Sequence, residues 1–482
     1  MGRPDVVDAS GGQARREAVD ASSGQARRNA EIVSRGRTWR ILAVFARRML
    51  IAGWHARFGL APRARRQAVF ARQMRLAFEE LGPAFIKLGQ LISVRPDEFD
   101  AALVGEMQAL QDAVPALPAD AIRAVIADEF GRSPETLFAS FDDAPIASAS
   151  IAQVHGATLG EAYRPVWGET LRQGAAVVVK VVRPGAAEAI LGDLVVARRL
   201  LGRLRSFGLA RRIDVRRLLD EFEASVRREV DLRHEGRVAD RFAFDFRDDP
   251  LVEVPRVVWT RTGKRVITME RMDGWRLSEL DAALAAGIDP KPLAIHGAAA
   301  FMRQVMIYGR FHADLHPANL FVTPRGTIAY LDFGIVGTVT RAERLQIAQV
   351  LAALVYRDAD RALRYSEPLG VHVPPERVER VRRELGELLD SLTEGGGFRS
   401  FGLGFLALLR RNGIEYPAGY GLLVKSLATV EGVARQLYPD IDIMDTARPF
   451  VTRLLGEAMG DPARLSERVP AAVRAALREL VV

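Results

Sequence analysis

Two aspartates and an asparagine past the middle of the chain have the types and spacing of a phosphate-and-magnesium site. Asp314 and Asn319 stand five apart in FHADLHPANLFV (311–322), and Asp332 follows in LDFG. A carboxylate held in such a loop can take or orient the proton of an attacking hydroxyl or water. The Asn319 amide oxygen and the Asp332 carboxylate are hard oxygen ligands. Together with phosphate oxygens they suit Mg2+, which keeps part of its water shell. His312 and His316 have no third nitrogen ligand at metal spacing, so they are expected to brace the loop rather than bind zinc.

Such a site needs a cation on the phosphates, and Lys180 fits. It lies in AAVVVKVVRPG (175–185), a β-branched run that reads as a strand. The chain has five lysines (87, 180, 264, 291 and 425) among 68 basic residues. A lysine where arginine is the rule suggests a need for a compact ammonium. No glycine-rich loop precedes the strand. Ala147, Ser148, Ala149 and Ser150 occupy its place, small enough for backbone N–H groups to approach a phosphate. The catalytic assignments resemble a kinase loop of the H-R-D-x-x-x-x-N type and a V-A-I-K strand lysine. A carboxylate must pair that lysine, and EVDLRHEG offers Glu229, Asp231 and Glu235. Residues 211–246 read as one long charged helix. Glu229 and Glu235 would then be about 240° apart around it and could not both face Lys180. Glu235 is assigned to Lys180, and Glu229 with Asp231 to another group.

The surrounding elements must hold these residues together. Residues 37–80, 101–114 and 118–131 have helical spacing, the last with a glycine stop. Residues 252–274 read as two strands and a turn, and Asn319–Val322 and Thr327–Leu331 as strands. Most of the remainder is helical. The predicted fold class is α+β, a protein-kinase-like pair of lobes behind an N-terminal helical extension. The expected divisions are a flexible tail 1–36, a helical extension 37–118, an N-lobe 119–275 and a mostly helical C-lobe 276–482. The tail carries a tandem repeat, 7–18 and 19–30, identical at 10 of 12 positions and too polar to bury a core.

Composition narrows the setting. With no cysteine, disulfides and thiolate metal sites are excluded and a reducing compartment fits. No run of eighteen apolar residues occurs, and no signal peptide is evident. Residues 1–80 hold 16 Arg against 7 acidic residues, +9 of the net +8, so the remainder is near −1. Basic residues mixed with Trp39, Ile41, Leu42, Phe45, Met49 and Trp54 suit an anionic membrane surface, with nucleic acid as the rival partner and a basic helix face packed on the body of the protein as the plain alternative; the expected partner is the membrane surface, with no nucleic acid. The expectation is a cytoplasmic protein, peripherally membrane-associated and without a transmembrane span.

Several stretches resemble the UbiB/AarF family of atypical kinase-like proteins. FIKLGQLISVRPD, with Lys87, Gly89 and Gln90, is similar to that family's KxGQ signature. ASAS resembles its alanine-rich loop, EVD (229–231) its ExD motif, and HADLHPAN with DFG its catalytic and metal-binding motifs. Residues 425–443 resemble its C-terminal helices. The resemblance implies binding of ATP or ADP with Mg2+, ATPase or atypical kinase activity, and membrane association. It also implies support of ubiquinone or other isoprenoid-lipid biosynthesis, with prenyl-lipid or quinone precursors and quinone-biosynthesis enzymes as partners. Lys87 and Gln90 would form a regulatory lid meeting Glu229 and Asp231. Two alternatives stand beside this reading: a small-molecule phosphotransferase of kinase-like fold, and a nucleotide-gated membrane scaffold with little catalysis.

Overall fold

The structure is a computed structural model that describes residues 36–54, 63–93, 99–110, 114–206, 215–315, 317–391 and 397–459. The tandem repeat, and with it the expected tail, lies outside the described residues. Contacts divide the chain into two units, one drawn from 1–90, 105–112 and 185–226, the other from 91–104, 113–184 and 227–482. The stretch 119–275 is thus shared between them.

In the first unit, helix α1 (36–54) precedes α2 (Arg63–Leu81) and α3 (Pro83–Ser93). Ile41, Val44 and Ala52 of α1 are buried. Phe45, Phe78 and Phe85 form a ring cluster with centroids 5.8–6.2 Å apart. Gly82, at φ 93°, makes the turn between α2 and α3, where a side chain would be strained. Gly89, mid-helix in α3, has another reason to be glycine. A Cβ there would lie 2.2 Å from Leu110 Cδ1 and 2.9 Å from Phe78 Cδ2.

The second unit opens with an antiparallel sheet in the order β1 (Ser140–Ser148), β2 (Ala152–Thr158), β3 (Ala176–Val182), β5 (Val266–Glu270). Val177, Val179 and Val181 point to one face and pack with Ile122, Val125 and Ile126 of α4 (Ala119–Phe130). Side chains alternate along a strand, so Lys180 projects from the other face. A second sheet runs β4 (Val252–Glu253), β9 (Ile328–Tyr330), β8 (Leu320–Val322), β6 (Trp275–Arg276). A two-stranded pair, β7 (Arg310–His312) with β10 (Val336–Thr338), lies beside the loop of interest. The helices that follow include α7 (Pro290–Arg303) and α8 (Ala418–Leu437).

Two expectations need correction. The two strands read in 252–274 do not pair with one another. Val252–Glu253 runs parallel to β9 in the second sheet, whereas Val266–Glu270 closes the first sheet against β3. Nor is 211–246 one helix. The described part is α5 (Val215–Glu229) and α6 (Leu232–Asp245), broken at Val230–Asp231. Asp231 causes the break by capping α6: its carboxylate accepts the Arg233 backbone N–H, a role Asp prefers to a helix interior.

Candidate nucleotide-phosphate site

Lys180 sits on an interior strand, paired on one side with Val154 and on the other with Ile267. Its ammonium donates to both oxygens of Glu235, at 2.9 and 2.8 Å. Glu235 lies in α6, which comes close to the sheet because Gly236 follows it. A Cβ on Gly236 would stand 3.0 Å from the Trp259 ring and 3.3 Å from Ile267, the residue paired with Lys180. Burial works to lower the Lys180 pKa, but the charges of Glu235, Asp332 and Glu229 outweigh it and hold the ammonium above the usual lysine range. Burial pushes the Glu235 carboxyl up, against the opposing pull of Lys180. Asp332 lies close enough for its charge to act on both partners.

The break between α5 and α6 changes the roles read for the upstream acids. Glu229 ends α5, so the 240° argument does not apply to it, and its charge reaches Lys180 and Glu235. Asp231 is turned to Arg233, whose Nε and Nη2 donate at 2.8 and 2.7 Å. Lys87 and Gln90 are on α3, in the first unit.

The β8–β9 hairpin explains how Asn319 and Asp332 come to one end of a sheet. Leu320 pairs with Tyr330, and the Leu331 N–H donates to the Asn319 carbonyl at 3.1 Å. Asp332 follows immediately. The Asn319 amide N–H2 donates to the Asp314 carbonyl at 3.2 Å and to Asp314 Oδ2 at 3.3 Å. Both bonds use the amide N–H2, so the amide oxygen is not spent on them. Asp332 Oδ1 accepts the Gly334 N–H at 2.8 Å, the tight turn that the glycine permits.

His312 joins these parts. Its Nδ1 accepts the Asp314 N–H at 3.2 Å, while its Nε2–H donates to the Asp332 carbonyl. Both bonds require a neutral imidazole, and burial holds the His312 pKa below its ordinary value. Gln304 Oε1 accepts the His312 backbone N–H at 2.9 Å, and Phe242 of α6 packs 5.3 Å from Phe333 and 6.4 Å from His312. The loop, the DFG turn and the Glu235 helix thus share one aromatic brace. His316 lies outside the described residues.

The small-residue segment divides in two. Ala147 and Ser148 belong to β1, paired with Val154 and Gln153. Ala149 and Ser150 form the turn, closed by the Ala149 N–H on the Ala152 carbonyl at 2.9 Å. Arg183 donates to Ser148 Oγ at 2.8 Å and tethers the hairpin end to the strand after Lys180.

The donor set fits magnesium. Among the described residues no three His, Cys, Asp or Glu side chains cluster as a self-sufficient metal cage. An amide oxygen and a carboxylate beside a lysine match a cation that takes its remaining ligands from phosphate and water. Asn319 and Asp332 would hold it. Sequence reasoning missed Gly236 and the Gln304–His312 link. A glycine inside the charged helical stretch RHEGRVAD was the available signal for the first; nothing local marks the second.

The chain is similar to known proteins over much of its length. Residues 109–366 match the ABC1 atypical kinase-like domain and 403–442 the UbiB helical domain. A Marinobacter nauticus protein named probable protein kinase UbiB is 34% identical over 426 residues, 85% of this chain and 74% of that protein. The Synechocystis protein sll1770 is 33% identical over 417 residues, 85% of this chain and 68% of its own. A solved structure, Rv3197 of Mycobacterium tuberculosis in complex with erythromycin, aligns with 24% identity and a TM-score of 0.45, covering 73% of this chain and 90% of that one.

Proposed function

Because the chain belongs to the ABC1 family of atypical kinase-like proteins with UbiB-like relatives, we propose that it binds ATP with magnesium and transfers or hydrolyses the terminal phosphoryl group. The observation that carries this reading is the Lys180–Glu235 pair with the Asp332 charge upon it. That arrangement offers an ammonium to phosphates at the edge of an oxygen-ligand site. Lys180 holds the non-transferred phosphates, and Glu235 fixes the ammonium in place. Asp314 accepts the proton of the attacking hydroxyl or water, and Asn319 keeps its carboxylate oriented. Magnesium bound with the nucleotide would neutralise phosphate charge. The small side chains of the Ala149–Ser150 turn let the backbone come close to the phosphates.

The relatives' names and the motif resemblance support a role in isoprenoid-quinone lipid biosynthesis, carried out at a membrane surface. No described helix is long and apolar enough to cross a membrane, so the surface reading rests on α1. Its buried face holds Ile41 and Val44, while Trp39, Leu50 and Trp54 are 72%, 75% and 65% exposed.

Titration of the full chain with Mg-ATP, followed by phosphate release, tests the reading. The parent is expected to bind, and Asp332→Asn to lose at least about tenfold in affinity. Asp314→Asn should keep binding but lose turnover by about 100-fold or more. Binding that survives Asp332→Asn unchanged would sink it. Persistent binding with no turnover by any preparation would favour the scaffold instead.

A further inference from the structure

One cation beside the loop has no role in the account so far. Lys425 lies in the middle of α8, in the apolar run GLLVKSLATV. The neighbouring helix residues Leu423, Val424, Leu427 and Ala428 are buried. Its ammonium makes no hydrogen bond or ion pair with another described residue, and the charge it senses is that of Asp314. The next residue fixes the placement: Ser426 Oγ lies 3.5 Å from the Ala313 carbonyl, directly before Asp314. Lys425 itself is half-buried, and an ammonium partly withdrawn from water without an acceptor is costly. A dedicated helix is thus presenting a compact cation to the loop carboxylate, on an element different from the one carrying Lys180.

We propose that Lys425 is a second phosphate-binding lysine, which holds the phosphoryl group in transfer beside Asp314. The inference rests on the function proposed above. In the transfer, the bond from the terminal phosphorus to the nucleotide oxygen breaks and a bond to the oxygen of water or an alcohol forms. The acceptor's proton goes to the Asp314 carboxylate, and the nucleoside diphosphate leaves with the electron pair. Negative charge on the peripheral phosphoryl oxygens needs a cation on the acceptor side, whereas Lys180 holds the non-transferred phosphates. Burial pushes the Lys425 pKa down, while Asp314 opposes this. A bound phosphate would stabilise the charged form further. Lysine scarcity agrees: a chain that writes arginine almost everywhere keeps an ammonium here too.

The test uses the full chain with Mg-ATP and Mg-ADP as probes. Lys425→Met is expected to lower turnover about 100-fold and to weaken Mg-ATP about tenfold, with Mg-ADP affinity unchanged. Lys425→Arg should recover part of the ATP-over-ADP preference. Lys425→Gln serves where the methionine variant does not fold. Equal loss of both nucleotides in the variants, or turnover equal to the parent, overturns the proposal and leaves Lys425 a packing residue. A parent that binds neither nucleotide overturns the proposed function itself, and this inference with it.

Discussion

A buried ion pair is expensive to create and more expensive to break. Lys180 and Glu235 are 20% and 8% exposed at the side chain, so neither charge is well solvated. Their mutual attraction only offsets that burial, so the pair is better explained by what it presents than by the stability it confers. Lys180→Met strands the Glu235 carboxylate and is expected to cost about 3–5 kcal/mol. The double variant Lys180→Met/Glu235→Leu should cost less than either single change. Thermal unfolding of the four proteins measures this, and all three variants should lose nucleotide binding. Lys180 titrates above its ordinary value when folded. Its contribution is therefore present below about pH 10 and lost only as pH rises through the folded value.

At the scale of elements, the break at Val230–Asp231 matters most. It frees Glu229 from the face of α6 and lets α6 start where its fourth residue reaches Lys180. The cap has a pH signature. The Arg233 side chain, ahead of opposing burial, holds the Asp231 carboxyl below the usual range. A depressed folded pKa means stability that is full above about pH 4 and disappears as pH falls through the folded value. Asp231→Ala should cost about 1 kcal/mol at neutral pH and nothing once both states are protonated. Melting curves of parent and variant between pH 7 and acid should therefore converge. A constant gap would mean that Asp231 acts by something other than its charge and cap. The corrected pairing of Val252–Glu253 belongs at this scale also. Two short strand-like runs that begin fourteen residues apart look like a hairpin, but each found a better edge in a different sheet.

For the whole molecule, charge is divided more sharply than the total implies. The first 80 residues carry +9 and the rest −1. Helix α1 is apolar on two sides. One face packs inside its unit, and the other carries Trp39, Leu42, Leu50 and Trp54 outward. Arg47 and Arg48 both pair with Glu80, so neutralising them would disturb the unit itself. The informative variant is Trp39→Ser/Leu50→Ser/Trp54→Ser. It should lose sedimentation with phosphatidylglycerol vesicles, and the vesicle stimulation of phosphate release expected of the parent, at unchanged melting temperature. Binding of the parent should weaken with salt, as basic residues near an anionic surface contribute about 1 kcal/mol each. Equal vesicle binding by parent and variant would remove α1 from the account.

The sequence by itself marked out the candidate site. Asp314, Asn319, Asp332, Lys180 and Glu235 were legible as candidates because the roles proposed for them demand particular residue types at short spacings. The strand around Lys180 was legible because alternating valines have only one way to be buried. Tertiary structure decided what depends on distant partners: which strand edge Val252 joins, that Gly236 allows α6 onto the sheet, that neutral His312 ties the loop to the Asp332 turn, and that Lys425, 111 positions after Asp314, returns beside it. Local propensity is a property of neighbours along the chain. These contacts join residues whose separation in sequence carries no information about their separation in space.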